Sequence, residues 1–196
     1  MPLPLLWLGA AALSAMTVKE LATERQLQQA KRKNFRQAKK LTDLDRHEPL
    51  VAIYPTDLFA TIQNVAPKFG AIVCCGIGGV LDHSGIWIGD DTILELDGRG
   101  LIKAVSTRRF TDNRTGDKIF VACDSQANCL TSEAAAQRAI SQIFQYQQYH
   151  VINNNCHQFV WQCLKPGDEK LTTFKEFSER LARYFDRQVY WDLCEL

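Results

Sequence analysis

Two β-rich runs, Leu81-Asp-His-Ser-Gly-Ile-Trp-Ile88 and Thr92-Ile-Leu-Glu-Leu96, flank Gly89-Asp90-Asp91. Gly and Asp between two such runs signal a β-hairpin, and a hairpin commits the chain to an antiparallel sheet. Register then decides what the hairpin can carry, because a slip of one residue moves every side chain to the other face. A two-residue loop at Asp90-Asp91 sets Ile88 opposite Ile93 and puts His83 and Glu95 on opposite faces. A three-residue loop, Gly89 to Asp91, sets Ile88 opposite Thr92 and Glu95 across from Gly85. His83 and Glu95 then become diagonal neighbours on one face, roughly 7–8 Å apart at the backbone and within side-chain reach. Gly85 leaves space beside them. An imidazole and a carboxylate converging in this way can act as a base and the group that orients it.

A second stretch points to chemistry. In Tyr149-His-Val-Ile-Asn-Asn-Asn-Cys-His-Gln-Phe-Val-Trp-Gln-Cys163, an apolar run meets three asparagines and then a helical pattern. The Asn side-chain oxygen accepts an otherwise unpaired helix N–H, so Asn154 or Asn155 is the predicted cap and Cys156 falls in the first turn. Free N–H groups and the positive end of the helix dipole favour a thiolate there. Helical cysteines are more often simply buried, so position alone does not make Cys156 reactive.

The chain has seven cysteines, at 74, 75, 123, 129, 156, 163 and 194. The odd count and the Cys74-Cys75 pair inside an apolar run argue against a secreted disulfide framework, and imply a globular part facing a reducing compartment. No spacing suggests a zinc site, so neither metal nor cofactor is expected.

Charge is uneven. Up to Leu41 there are eight basic and two acidic side chains, a balance of +6; with a total of +1, the remainder carries −5. Residues 1–18 hold no charged side chain, and Leu3 to Met16 is strongly apolar but short for a span, which needs roughly 17–25 residues. Basic residues follow the apolar stretch rather than precede it, unlike a signal peptide, and predict that the C-terminal side stays in the cytoplasm. Residues 1–18 are therefore expected to associate with a membrane, by crossing it or lying in one leaflet, with the catalytic part cytoplasmic. Packing on the domain, or cleavage, are the other fates of that segment. Residues 19–47 are polar, basic and free of Gly and Pro, which suits a helical stalk with a thin apolar stripe. Without interleaved aromatics, that basic face is not expected to bind nucleic acid. Residues 48–66, with Pro49 and Pro55, read as a linker region, and 67–196 as the globular domain.

Within that domain, Ala71-Ile-Val-Cys-Cys75 and Ile119-Phe-Val-Ala-Cys123 read as buried strands, and Leu101 to Val105 as another. Gly76-Ile-Gly-Gly79 lacks the rest of a phosphate loop and reads as a turn. Ser106 to Asp117 is polar and loop-like. Leu130-Thr-Ser-Glu opens a capped helix whose apolar positions run on through Ile143 and Phe144. Phe174, Phe177, Leu181, Tyr184 and Phe185 stand at helical spacing, whereas Trp191 and Cys194 have no assigned role.

Together, His83-Ser-Gly-Ile-Trp87-Ile-Gly89 and Asn155-Cys156-His-Gln-Phe159 resemble the lecithin–retinol acyltransferase-like family, within the NlpC/P60 superfamily of circularly permuted papain-like folds. The resemblance covers roughly residues 67–165. It implies an α+β fold in which an antiparallel sheet packs against the helix carrying the cysteine, here with an N-terminal helical extension. It departs from the family in two places: Glu95 stands where a second histidine is usual, and His157-Gln158 replaces Glu-His, positions that would help shape the pocket. The implied chemistry is a cysteine-dependent acyl hydrolase or acyltransferase, with Cys156 as nucleophile, His83 as base and Glu95 as its orienting carboxylate. The implied substrate is a phospholipid or other acyl ester, with residues 1–18 holding the site at the membrane surface. A cysteine peptidase or amidase, and a non-catalytic lipid- or protein-binding module, remain as alternatives; oligomeric state is open.

Overall fold

The hairpin forms by a route that neither loop length alone describes. In the computed structural model, which describes residues 51–55, 64–76, 82–112, 114 and 117–196, strands β4 (His83–Gly89) and β5 (Thr92–Leu96) join through Asp90-Asp91. Both aspartates have positive φ, 44° and 54°, the backbone that a two-residue hairpin turn of matching twist requires. Gly89 therefore faces Thr92, but Trp87 faces Ile93 and Ile86 faces Leu94, so Ile88 is an extra residue bulged out of β4. The turn is the two-residue one and the register beyond it is the three-residue one. Continued to the strand ends, that register sets Glu95 across from Gly85 and leaves His83 on the same face.

The hairpin sits in a mixed, mostly antiparallel sheet with the order β1-β8-β7-β3-β4-β5-β6. The remaining strands are β1 (Val51–Pro55), β2 (Asn64–Val65), β3 (Ile72–Cys75), β6 (Ile102–Ser106), β7 (Ile119–Cys123) and β8 (Val189–Cys194). Both β1 and β2 run parallel to β8, so part of the region read as a linker, 48–66, belongs to the sheet. The C-terminal residues that carried no assignment form an inner strand. Val, Tyr and Trp suit a pleated buried surface, and Trp191 is fully buried against Phe174 and Phe177, with ring centroids 5.1 and 6.4 Å away.

Four helices complete the described architecture, which is of the α+β class: α1 (Thr107–Thr111), α2 (Glu133–Ile140), α3 (Cys156–Leu164) and α4 (Phe174–Phe185). Ser106, Ser132, Asn155 and Thr173 cap them, each side chain accepting a backbone N–H of the first turn. Helix α2 ends earlier than the apolar pattern suggests: Ser141 caps it, and Phe144 turns outward with φ 67° and 80% of its surface exposed. Helix α1 lies in the run read as loop, where Phe110 is the one buried residue of the helix.

Helices α2, α3 and α4 cover one face of the sheet, in a core with Ile72, Ile86, Leu94, Phe120 and Trp191. Phe110 covers the other, over Val73, Trp87, Ile93 and Val121. The apolar segment 1–18, the stalk 19–47 and the turn glycines 78 and 79 lie outside the described residues. No helix among the described residues is long and apolar enough to cross a membrane.

Candidate active site

Asn155 is the cap that places Cys156. Its Oδ1 accepts the Gln158 N–H at 2.9 Å, and its Nδ2 donates to the carbonyls of Val151, Thr172 and Leu171 at 2.9, 3.1 and 3.4 Å. Asn154 does not cap: its side chain donates to Gln148 O at 2.8 Å and closes the preceding turn, because Asn155 already occupies the extended position before the helix. Cys156 is thus the first residue of α3 and only 3% exposed.

His83 opens β4 on the face that carries Phe110. Its ring lies tilted against the Phe110 ring, with centroids 5.1 Å apart, and its Nε2 lies 2.7 Å from Glu95 Oε2. Nδ1 is left free of Glu95 and available to the Cys156 thiol, whose Sγ lies 4.0 Å from Asp82 O, next to His83 in the chain. The gap expected beside Gly85 is filled: a Cβ there would come within 3.0 Å of Phe110 and closer still to Ile93 and Leu94. Gly85 lets Phe110 reach the imidazole rather than leaving room for substrate.

The electrostatics separate this cysteine from most of the others. Burial alone would raise the Cys156 pKa, but the His83 charge and hydrogen bond, then the Ser84 N–H and Arg114, bring it below the ordinary thiol value. His83 answers in kind: burial opposes its charged form, and the Cys156 sulfur and Glu95 nonetheless raise its pKa. An imidazolium–thiolate pair is the state these shifts favour. Cys75 sits across from His83 on β3, yet burial pushes its thiol up to about 12, and it donates to Phe110 O at 3.5 Å. Burial likewise pushes Cys163 and Cys194 to about 12 and raises Cys74.

Glu95 is 1% exposed and has charged neighbours that its strand pattern does not announce. Arg114 Nη2 donates to Oε2 at 3.1 Å, and Lys103 Nζ lies 3.4 Å from Oε1 and 3.1 Å from Asp97. Burial would raise the Glu95 pKa; the hydrogen bond and charge of His83, then Arg114 and Lys103, hold it below the usual carboxylate value. Lys103 was legible in principle, since it faces Glu95 in the β5–β6 register. Arg114 carried no signal, because it follows a short helix inside a polar run.

His157 and Gln158 pin the helix rather than shape a pocket. His157 lies between Phe174 and Phe177, with Nδ1 2.9 Å from Ser84 Oγ on β4. Burial and the nearby His83 charge push its pKa down to about 3, so it stays neutral. Gln158 accepts the Leu171 N–H at 2.6 Å and donates to Glu169 O at 2.8 Å. No group of metal-binding side chains occurs among the described residues. As a set, Cys156, His83 and Glu95 can move a proton from sulfur to imidazole and hold the resulting cation against a carboxylate. Comparison with family models, with curated proteins and with solved structures returned no match, so the chemistry of this site is argued from its own residues.

Proposed function

We propose that the protein is a cysteine-dependent acyl hydrolase or acyltransferase acting on phospholipid esters through a thioester acyl-enzyme, on a permuted papain-like scaffold of the lecithin–retinol acyltransferase type. The observation that carries this is the His83 imidazole, held by Glu95 Oε2 at 2.7 Å and acting to lower the pKa of the Cys156 thiol at a helix start. The Cys156 thiolate attacks the acyl carbonyl and the carbonyl π electrons move to oxygen. Collapse of that adduct breaks the ester C–O bond, and His83 gives its proton to the departing alkoxide. Water or an acceptor alcohol or amine, deprotonated by His83, then takes the acyl group and frees the thiolate. Glu95 holds the imidazole ring and favours its charged form. The lipid assignment draws on the resemblance, and on Phe144 and Tyr146, 80% and 75% exposed on the segment between α2 and α3, where aromatic side chains suit a lipid interface. The uncharged N-terminal residues followed by basic ones suit the same surface.

The test is intact mass after incubation with vesicles of mixed phospholipids. A hydroxylamine-labile fatty-acyl adduct is expected on the wild type and absent from Cys156→Ala and His83→Ala, each checked for wild-type circular dichroism. No adduct on a Cys156 that still alkylates quickly overturns the lipid assignment and favours amide or peptide substrates, which the same relay can serve. An unreactive Cys156 overturns the enzyme assignment.

A further inference from the structure

A second pair of cysteines, remote from Cys156, is built for a different reaction. Cys123 ends β7 and Cys129 follows the loop after it, and the two face each other as an antiparallel bridge. The flanking hydrogen bonds give the type of pair. Asp124 N donates to Asn128 O at 3.0 Å, and Leu130 N donates to Ala122 O at 2.8 Å. These bonds enclose the two cysteines without joining them, so this is the non-hydrogen-bonded kind, with Cα atoms about 4.5 Å apart and side chains on one face. That separation lies within the range a disulfide spans, roughly 4.4–6.8 Å. Both thiols are free, and Cys129 donates to Ala66 O at 3.4 Å. Along β7, Ile119 pairs with Cys75, which pairs with His83, so the dithiol lies at the far end of the strand, roughly 13 Å from the His83 end.

We propose that Cys123 and Cys129 form a reversible dithiol–disulfide pair, closed by a hydroperoxide and reopened by a monothiol, with Cys129 attacking and Cys123 resolving. Exposure sets the roles: Cys129 is half-buried and reachable, whereas Cys123 is fully buried. Their electrostatics agree. The Cys123 hydrogen bond lowers the Cys129 pKa, and the backbone N–H and charge of Lys68 lower it further against burial. The same hydrogen bond, followed by burial and Asp192, raises that of Cys123. In the first step Cys129 sulfur attacks a peroxide oxygen; the S–O bond forms, the O–O bond breaks, and an alcohol (or water, from hydrogen peroxide) leaves. Cys123 sulfur then attacks the sulfenic sulfur, the S–S bond forms, and the hydroxyl departs as water with the Cys123 proton. Two thiols lose two electrons and the peroxide gains them. Two monothiol molecules return the pair to the dithiol and become a disulfide themselves.

The experiment uses the full chain with a slight molar excess of hydrogen peroxide, then alkylation, trypsin and mass spectrometry without reductant. No Lys or Arg separates the two cysteines, so both fall on one tryptic peptide, residues 119–138. The expected product is that peptide lighter by two hydrogens and unalkylated at both positions, restored by glutathione. In Cys123→Ser, Cys129 is expected to persist as a sulfenic acid that dimedone traps. A wild-type protein in which Cys129 goes to sulfinic acid while Cys123 still alkylates overturns the proposal, as does a bond from Cys129 to Cys194. The wild-type measurement decides even if the variant does not fold.

Discussion

Gly85→Ala tests how tightly the two strands of the site are set. A Cβ at Gly85 would lie 2.6 Å from Ile93 Cγ2, 2.8 Å from the Leu94 carbonyl oxygen and 3.0 Å from Phe110 Cε2. Ordinary carbon contacts are about 3.5–4.0 Å, so all three are too short. Ile93 and Phe110 are fully buried and have nowhere to swing, and the Leu94 oxygen belongs to the backbone of β5. The variant must therefore part β4 from β5, or drive Phe110 off the sheet. Overpacking of this kind costs about 1–3 kcal/mol, which for a chain of this length lowers Tm by about 2–12 °C. Either movement also reaches the site, because Phe110 backs the His83 ring and Glu95 follows Leu94. The His83–Glu95 bond lengthens, and the pH midpoint for alkylation of Cys156 moves up. Gly98→Ala is the control, since a Cβ there meets nothing within 4 Å, and a change within about 0.5 kcal/mol is expected. If Gly85→Ala melts with the wild type and keeps its alkylation profile, the close packing described for this hairpin is wrong.

Two further outcomes follow from the buried charges. Glu95→Gln removes the carboxylate from His83, Arg114 and Lys103, and is expected to cost about 3–5 kcal/mol at pH 7 in urea unfolding. The Glu95 pKa is lowered in the fold, so its contribution is complete above the unfolded carboxyl value of about 4.3 and is lost as pH falls through the folded one; the gap between wild type and variant should close in acid, and a gap independent of pH counts against the ionised carboxylate. His157 is lowered to about 3, against about 6.5 unfolded, so the unfolded chain binds its proton first and stability falls with acidification between those values by about 1.4 kcal/mol per pH unit. His157→Gln should flatten that limb of the stability–pH curve, and an unchanged slope would mean that His157 is protonated in the folded protein.

What could be read from the amino acids followed from local rules. Strand runs at 71–75 and 119–123 and the capped helices at Ser132 and Asn155 each depend on a few neighbouring residues, and each is present. The failures have physical causes too. The bulge at Ile88 has no residue signature, and it alone reconciles a two-residue turn with Glu95 lying across from Gly85. Val51–Pro55 and Val189–Cys194 depend on each other as parallel partners, a pairing between chain segments too distant for any local pattern to reveal. Cys123 and Cys129 escaped notice because their juxtaposition comes from loop geometry, not from a familiar spacing.

The same reasoning explains why the candidate site draws on the ends of elements. Cys156 is the first residue of a helix on one face of the sheet, and His83 is the first residue of a strand, directed to the other face. They meet where both elements begin, with the Cys156 sulfur 4.0 Å from Asp82 O and the Ser84 hydroxyl holding His157 of the same helix. A carboxylate as the third member suits this setting better than a neutral ring would. Once the thiol proton has passed to His83, the groups alternate in sign from the sulfur outward: Cys156 thiolate, His83 cation, Glu95 carboxylate, then Arg114 and Lys103, with Asp97 beyond Lys103. A buried ion is tolerable when each neighbour carries the opposite charge and a hydrogen bond, and costly when one is removed. With a neutral residue at position 95, two cations would face each other and His83 across a gap. The two cations and Glu95 are therefore one unit, and the departure from the resembling family at that position is matched by the residues around it.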